Sequence, residues 1–252
     1  MAVMLVTGGG RGIGADIAVL AAERGWDVAI NYVSNETAAK GVAQKIEALG
    51  RRALPIPADV SDSSAVDEMF ARVNRDLGPI DALVNNAGIS LTKGPLDALD
   101  VELARKAFDV NFFGAFLCCR NAIRQMSTKH GGQGGAIVNI SSAAARLGSA
   151  GSQIHYAASK AAIDVLTTAL AKEQAAAGIR VNAVRPGITR TDLAEELEEL
   201  DPGWFNRVSG RVPLGRVAEV RDISASVLWL LSDEASYTTG AILDVSGGLA
   251  TP

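Results

Sequence analysis

The chain has 252 residues, 48% hydrophobic and 21% charged, with a formal net charge of −4, which is enough apolar chain to bury its own core and excludes intrinsic disorder. Mild acidity without a Lys/Arg cluster argues against a nucleic-acid partner, and the longest apolar run, Phe112 to Cys119, is too short to cross a membrane. The adjacent Cys118 and Cys119 exclude a disulfide-built fold and fit a reducing, cytoplasmic setting, and His130 and His155 lack the neighbours that a protein-built metal site needs.

The first predicted strand, Val3–Val6, has no basic segment ahead of it, so no secretory leader is expected. It runs into Thr7-Gly8-Gly9-Gly10-Arg11-Gly12-Ile13-Gly14, and Ile13, Ile17, Leu20 and Ala21 then follow helical spacing to a stop at Gly25. A glycine-rich turn between a strand and a helix brings bare backbone N–H groups and a helix N-terminus against a diphosphate, so this turn predicts nucleotide binding. The second strand, Val28–Val33, ends Asn31-Tyr32-Val33-Ser34 without the carboxylate that would bond a ribose 2′-hydroxyl, and Arg11 offers a cation inside the turn. NADP is therefore expected ahead of NAD, with NAD possible.

A strand over Ala53–Pro57 precedes a helix marked by Val66, Phe70, Val73 and Leu77, capped by Ser61 or Asp62 and stopped at Gly78-Pro79. Further strands are predicted at Ala82–Asn85, Ala136–Ile140, Ile179–Val184 and Ile242–Val245. Several are apolar throughout, as strands covered on both faces must be. The β-α alternation, with no linker and no repeat, predicts one α/β domain over 1–252: a doubly wound, seven-stranded parallel sheet flanked by helices on both faces.

Between the strands at 136–140 and 179–184, a helix is predicted from Tyr156 to about Ala177. Tyr156 and Lys160 are four residues apart on one helix face, and a nearby ammonium is expected to lower the phenol's pKa so that Tyr156 can move a proton on a carbonyl or alcohol. Ser141-Ser142 end the preceding strand, at the sheet edge where doubly wound folds bind ligands, and a hydroxyl there can bond the reacting oxygen.

These residues together resemble the short-chain dehydrogenase/reductase family over the whole chain. Thr7-Gly8-x-x-x-Gly12-x-Gly14 resembles the family's cofactor turn, Asp59-Val60 its adenine-side pair, and Asn85-Asn86-Ala87-Gly88 its strand-four motif. Asn111 resembles the catalytic asparagine, while Ser142, Tyr156 and Lys160 resemble the rest of the catalytic set. The gap from Ser142 to Tyr156 is one residue longer than the family's commonest spacing, so Ser141 stays an alternative to the favoured Ser142. Pro186-Gly187-Ile188 with Thr191 resembles the segment that holds the nicotinamide carboxamide. The resemblance implies a Rossmann-like fold in which Gly8, Arg11, Gly12, Ile13, Gly14, Asn31, Tyr32, Asp59, Val60, Asn86, Ala87, Gly88, Tyr156, Lys160, Pro186, Gly187, Ile188 and Thr191 line the cofactor. It also implies hydride transfer between a nicotinamide and a carbonyl or secondary alcohol. Tyr156 would move the proton, Ser142 polarise the oxygen, Lys160 hold the ribose and acidify Tyr156, and Asn111 anchor a water.

The segment of about 190–216 loses its clean period, and the resemblance implies a substrate lid there; the alternative is a surface helix pair with Trp204 and Phe205 as core. Leu147, Gln153, His155, Leu193 and Trp204 are expected to line the substrate pocket beside Ser142 and Tyr156. A small ketone, aldehyde, sugar or polyol is the expected substrate. A 3-oxoacyl chain on an acyl carrier protein is the alternative, disfavoured because Ala177 stands where carrier-dependent relatives place a basic residue. An NADP-binding regulator is the non-enzymatic alternative. The apolar stretch Phe108, Phe112, Phe113, Phe116 and Leu117, on one long predicted helix, resembles with the Tyr156 helix the family's paired-helix interface, so a homo-oligomer, a dimer or tetramer, is expected.

Overall fold

The computed structural model describes residues 2–250, apart from the side chains of Leu193 and Leu197. Seven strands form one parallel sheet: β1 (Val3–Val6), β2 (Asp27–Tyr32), β3 (Ala53–Pro57), β4 (Ala82–Asn85), β5 (Gly135–Ile140), β6 (Ile179–Pro186) and, after two short strands described below, β9 (Ile242–Val245). Their spatial order is β3-β2-β1-β4-β5-β6-β9. The chain works outward from β1 to β3 and then returns to β4 on the other side of β1. That reversal opens a crevice at the carboxyl ends of β1 and β4, where such sheets hold their ligands.

Alternate strand residues feed two cores. Met4, Val6, Val28, Ile30, Val84, Val138 and Val184 pack against α1 (Gly12–Glu23), α2 (Glu36–Ala48) and α10 (Val220–Leu231). Val3, Leu5, Ala29, Leu83, Ile137 and Val181 pack against α3 (Ser63–Asp76) and α5 (Ala115–Met126), together with Ala171 of α7 (Ile154–Gln174). Burial on both faces explains why these strands read as unbroken apolar runs. Asp62, not Ser61, caps α3, its carboxylate accepting from the Ser64 and Ala65 N–H groups. β6 runs two residues past its predicted end because Arg185 and Pro186 stay in register with Asp244 and Val245 of β9.

The one long helix predicted for the apolar stretch is two helices. α4 (Val101–Phe108) joins α5 through a π-helical turn, Asp109–Gly114, a widening often found at functional sites. Phe113 and Phe116 are exposed, so burial against the sheet does not account for them. In the remaining segment, α6 (Ala144–Leu147) follows Ser142, and β7 (Thr189–Arg190) pairs with β8 (Ala218–Glu219). Between those strands lie α8 (Asp192–Leu200) and α9 (Trp204–Ser209). Among the described residues, no helix is long and apolar enough to cross a membrane, and no group of His, Cys, Asp and Glu could hold a metal ion.

Candidate active site

The glycine turn leaves β1 at Thr7. The Thr7 hydroxyl accepts from the Asn86 and Ala87 N–H groups (3.0 Å each), fastening the end of β4 to the turn. The Asn86 amide donates to the Thr7 and Gly8 carbonyls (3.0 Å each). Gly14 must be glycine, because a Cβ there would lie 2.4 Å from both the Gly8 carbonyl oxygen and Asn86 Nδ2. Arg11, at the N-cap of α1, supplies no side-chain cap, so the first N–H groups of that helix are left for a ligand. Thr191 closes the far side, with its Cγ2 3.6 Å from where a Gly12 Cβ would stand. An uncapped helix end above a close-packed, side-chain-free turn suits a dinucleotide diphosphate.

Asn31 is not part of that surface. It is 1% exposed; its amide donates to the Ala58 carbonyl (2.9 Å) and its oxygen accepts from the Gly8 N–H (3.2 Å). Its expected place at the cofactor is therefore corrected: the side chain is consumed in pinning the turn to β2 and β3. Tyr32 is half-buried against the first core, and Val60 is buried, with Gly114 packed so closely that a Cβ there would meet its Cγ2 at 2.6 Å. The Asp59 carboxylate accepts from the Ser61 N–H and hydroxyl. Arg11 is exposed.

The second part of the crevice is built on β5, α7 and the π-helical turn. Ser141 and Ser142 diverge: the Ser141 hydroxyl is buried and donates to the Lys160 carbonyl (3.0 Å), whereas Ser142 lies beside the Tyr156 phenol and accepts from the Ala144 N–H (3.1 Å). The hydroxyl facing the tyrosine is thus that of Ser142. Lys160 is buried; its ammonium donates to the Ile140 carbonyl (2.8 Å) and lies 5.8 Å from the Tyr156 ring centroid. The Asn111 amide donates to the Ile89 carbonyl (3.0 Å) and the Ser159 hydroxyl (3.0 Å), and its oxygen accepts from the Ile89 N–H (2.8 Å). Ser159 in turn donates to the Tyr156 carbonyl (2.8 Å).

Burial decides the electrostatics. Desolvation pushes the Tyr156 phenol above its ordinary range against the opposing hydrogen bond from Ser142, which reverses the expected acidification by Lys160. Desolvation also drives Lys160 down to about 8, with the charge of Asp164 opposing it. Here the cost of burying both charged forms outweighs the one-turn spacing that suggested mutual stabilisation.

The expected substrate residues divide. Gln153, at the start of α7, donates to the Ser90 hydroxyl (2.7 Å), and Leu147 is exposed on α6. His155 is corrected: it is buried with neither ring nitrogen hydrogen-bonded and lines an apolar groove between α4 and α7 with Leu99, Val101, Ala104 and Phe108, not the Tyr156 cleft. Phe205 is buried with Ala194 and Val217, with Ile188 and the half-buried Trp204 packed beside it, as in a helix pair with its own small core. The expected pocket side chain of Leu193 lies outside the described residues. At the base of the crevice, Pro186 accepts from the Ala143 N–H (2.9 Å) and Gly187 donates to the Val245 carbonyl (2.9 Å). Sequence reasoning missed the Asn111–Ser159–Tyr156 chain, although Ser159 stands three residues past Tyr156 on the same helix.

The profile of the family described as "Enoyl-(Acyl carrier protein) reductase" matches residues 8–250. The chain is 47% identical to the "Uncharacterized oxidoreductase YgfF" of Escherichia coli over 98% of this chain and all of that one. It is 40% identical to the cis-4-hydroxycyclohexanecarboxylate dehydrogenase of Sinomonas cyclohexanicum, over 98% of this chain and 95% of that one. A short-chain type dehydrogenase/reductase from Mycobacterium marinum superposes with a TM-score of 0.92 at 34% identity, over 100% of this chain and 96% of that one. A blue fluorescent protein from a metagenomic library, solved with NADPH, gives 0.88 at 36% identity, over 99% and 98%. With a Rossmann-like sheet, a glycine turn made for a dinucleotide and a Ser–Tyr pair beside a buried lysine, the chain belongs to the short-chain dehydrogenase/reductase family of oxidoreductases.

Proposed function

We propose that this protein is an NADP(H)-dependent oxidoreductase acting on a carbonyl or secondary alcohol of a small free substrate. The carrying observation is the placement of Ser142 beside the Tyr156 phenol at the carboxyl edge of the sheet, with the Lys160 ammonium 5.8 Å from the Tyr156 ring. When bound, a nicotinamide supplies or accepts the hydride. Tyr156 Oη gives the proton to the substrate oxygen in reduction and takes it in oxidation. Ser142 Oγ donates to that oxygen and fixes its position. Lys160, whose ammonium donates to the Ile140 carbonyl, has further N–H groups to offer ribose hydroxyls. Asn111 holds the Ile89 backbone and the Ser159 hydroxyl, and so keeps α7 and the loop after β4 at a fixed separation.

The reading favours NADP because Arg11 is an exposed cation in the turn and the end of β2 offers no carboxylate to repel a 2′-phosphate. The NADPH-bound neighbour supports it. A small substrate is favoured over an acyl-carrier chain because Ala177, at the expected carrier contact, is apolar and buried; the relative acting on a hydroxylated cyclohexane acid points the same way. We read residues 1–252 as one domain with 190–216 as its lid, and the protein as a cytoplasmic homo-oligomer. Two free, buried cysteines fit a reducing compartment, and exposed Phe113 and Phe116 offer an apolar face to a second copy.

Tyr156→Phe tests the assignment: NADPH binding, followed by fluorescence, stays within a few-fold, while turnover on a ketone and aldehyde panel at 340 nm falls by about 10²–10⁴. Retained turnover sinks it. Limited proteolysis with and without NADPH tests the lid, and identical cleavage within 190–216 removes it.

A further inference from the structure

Ser141 is the serine that the proposed reaction leaves unused, and it is 2% exposed. Its backbone N–H donates to the Val184 carbonyl (2.8 Å), which locks it into the sheet beside β6. Its hydroxyl donates to the Lys160 carbonyl on α7 (3.0 Å), while the neighbouring Ile140 carbonyl accepts from the Lys160 ammonium (2.8 Å). Two consecutive residues of β5 thus hold one lysine by its backbone and by the tip of its side chain.

This contact is one step in a row. Ile137, Asn139 and Ser141 alternate along β5 and so share the face turned to α7. Ile137 lies in the second core with Ala171, Asn139 Nδ2 donates to Thr167 Oγ1 (2.9 Å), and Ser141 bonds the Lys160 carbonyl. As β5 runs to its carboxyl end, its partners step back along α7 from 171 through 167 to 160, and Ser142 then lies beside Tyr156. The row changes from apolar to polar as it nears the crevice. Apolar contact is non-directional and lets a helix slide or roll on a sheet. A buried hydrogen bond between fixed atoms does not, because displacement leaves both groups unpaired. The start of α7 has no such hold from its N-cap, since Gln153 supplies no side-chain cap.

We propose that Ser141 is a positioning residue that sets the register of α7 against β5, so that Lys160 meets the Ile140 carbonyl and Tyr156 meets Ser142. This rests on the roles given to Tyr156 and Lys160 above. The Ser141 hydroxyl is spent on the lysine backbone, so it acts through Lys160 and not on the substrate. A second hold on this stretch comes from the π-helical turn, where the Asn111 amide donates to Ser159 Oγ (3.0 Å). α7 is therefore gripped at two consecutive residues, 159 by the π-helical turn and 160 by the sheet. The sheet grip is the one made from the strand that also bears Ser142.

The test compares two hydrogen bonds of the same β5–α7 interface. Ser141→Ala removes the one at Lys160, and Thr167→Val removes the one two turns further along α7, away from the crevice. Melting temperature falls in both. In Ser141→Ala the NADPH dissociation constant, by fluorescence titration, rises about tenfold, and kcat on the ketone and aldehyde panel falls about 10–10²-fold, the cost of misplacing reacting groups by about an ångström. In Thr167→Val both stay near wild type. Ser141→Cys fills the same space with a weak donor, so it falls between wild type and Ser141→Ala and carries the test should the alanine variant not fold. Wild-type affinity and turnover in Ser141→Ala, or losses no larger than those of Thr167→Val, overturn the proposal; so does failure of both Ser141 variants to fold, which assigns the hydroxyl to stability alone. A wild type that binds NADPH but reduces nothing defeats the proposed function, and the dissociation constants then decide this inference by themselves.

Discussion

The glycine turn and the Tyr156 cleft sit side by side at the same sheet edge, yet they divide labour between backbone and side chains in opposite ways. In the turn, the side chains of Thr7, Asn31 and Asn86 are spent on holding the backbone, so backbone N–H groups are left to meet the ligand. In the cleft the backbone is the scaffold: the Ile140 carbonyl holds Lys160 and the Ala144 N–H holds Ser142 Oγ, which presents the side chains to the substrate. The difference shows that a polar residue in a binding motif is not thereby a binding residue. Which of its atoms are already bonded decides.

That contrast can be broken at Gly14, where the largest effect is expected. Gly14→Ala forces the Gly8 carbonyl and Asn86 apart, which costs about 1–3 kcal/mol of stability and at least about tenfold in NADPH affinity; thermal denaturation and fluorescence titration measure both. Asn31→Asp sharpens the contrast. If Asn31 faced the cofactor, the new carboxylate would convert an NADPH preference to NADH. Because its amide is a buried donor to Ala58, the expected result is a loss of about 1–3 kcal/mol without that reversal, read from melting temperature and the ratio of the two KM values. The smallest expected effect is at exposed Arg11. Arg11→Ala leaves stability within about 0.5 kcal/mol and lowers NADPH preference over NADH by about tenfold, a change confined to KM.

Much of the fold was legible in the sequence because strands buried on both faces must be apolar throughout. β1, β3, β4 and β9 lie where their β-branched runs predicted them. Tyr156 and Lys160 were legible from their four-residue spacing and Ser142 from its place at a strand end, whereas Asn111 came from the family resemblance alone. The misplaced residues fail for a different reason. Asn31 and His155 each adjoin another residue expected at the site, Tyr32 and Tyr156, but neighbours in a strand or helix point in different directions, and a one-residue step changes which side of the element is meant. The direction of the Tyr156 shift was not legible either, since spacing shows a nearby cation and gives no measure of how much water has been removed.

The widened turn at Asp109–Gly114 has a consequence for the long helical rod made of α4 and α5. One surplus residue there puts the two halves out of phase by about 100°, the rotation of a single helical step. Asn111 lies at the slip itself, where its amide bonds Ile89 and Ser159. Deleting one residue within 109–114 would let the rod close into a uniform α-helix, swing that amide off Ser159, and rotate the α4 side of the groove relative to exposed Phe113 and Phe116. An irregularity of one residue thus couples the orientation of an internal amide to the alignment of an outer apolar face.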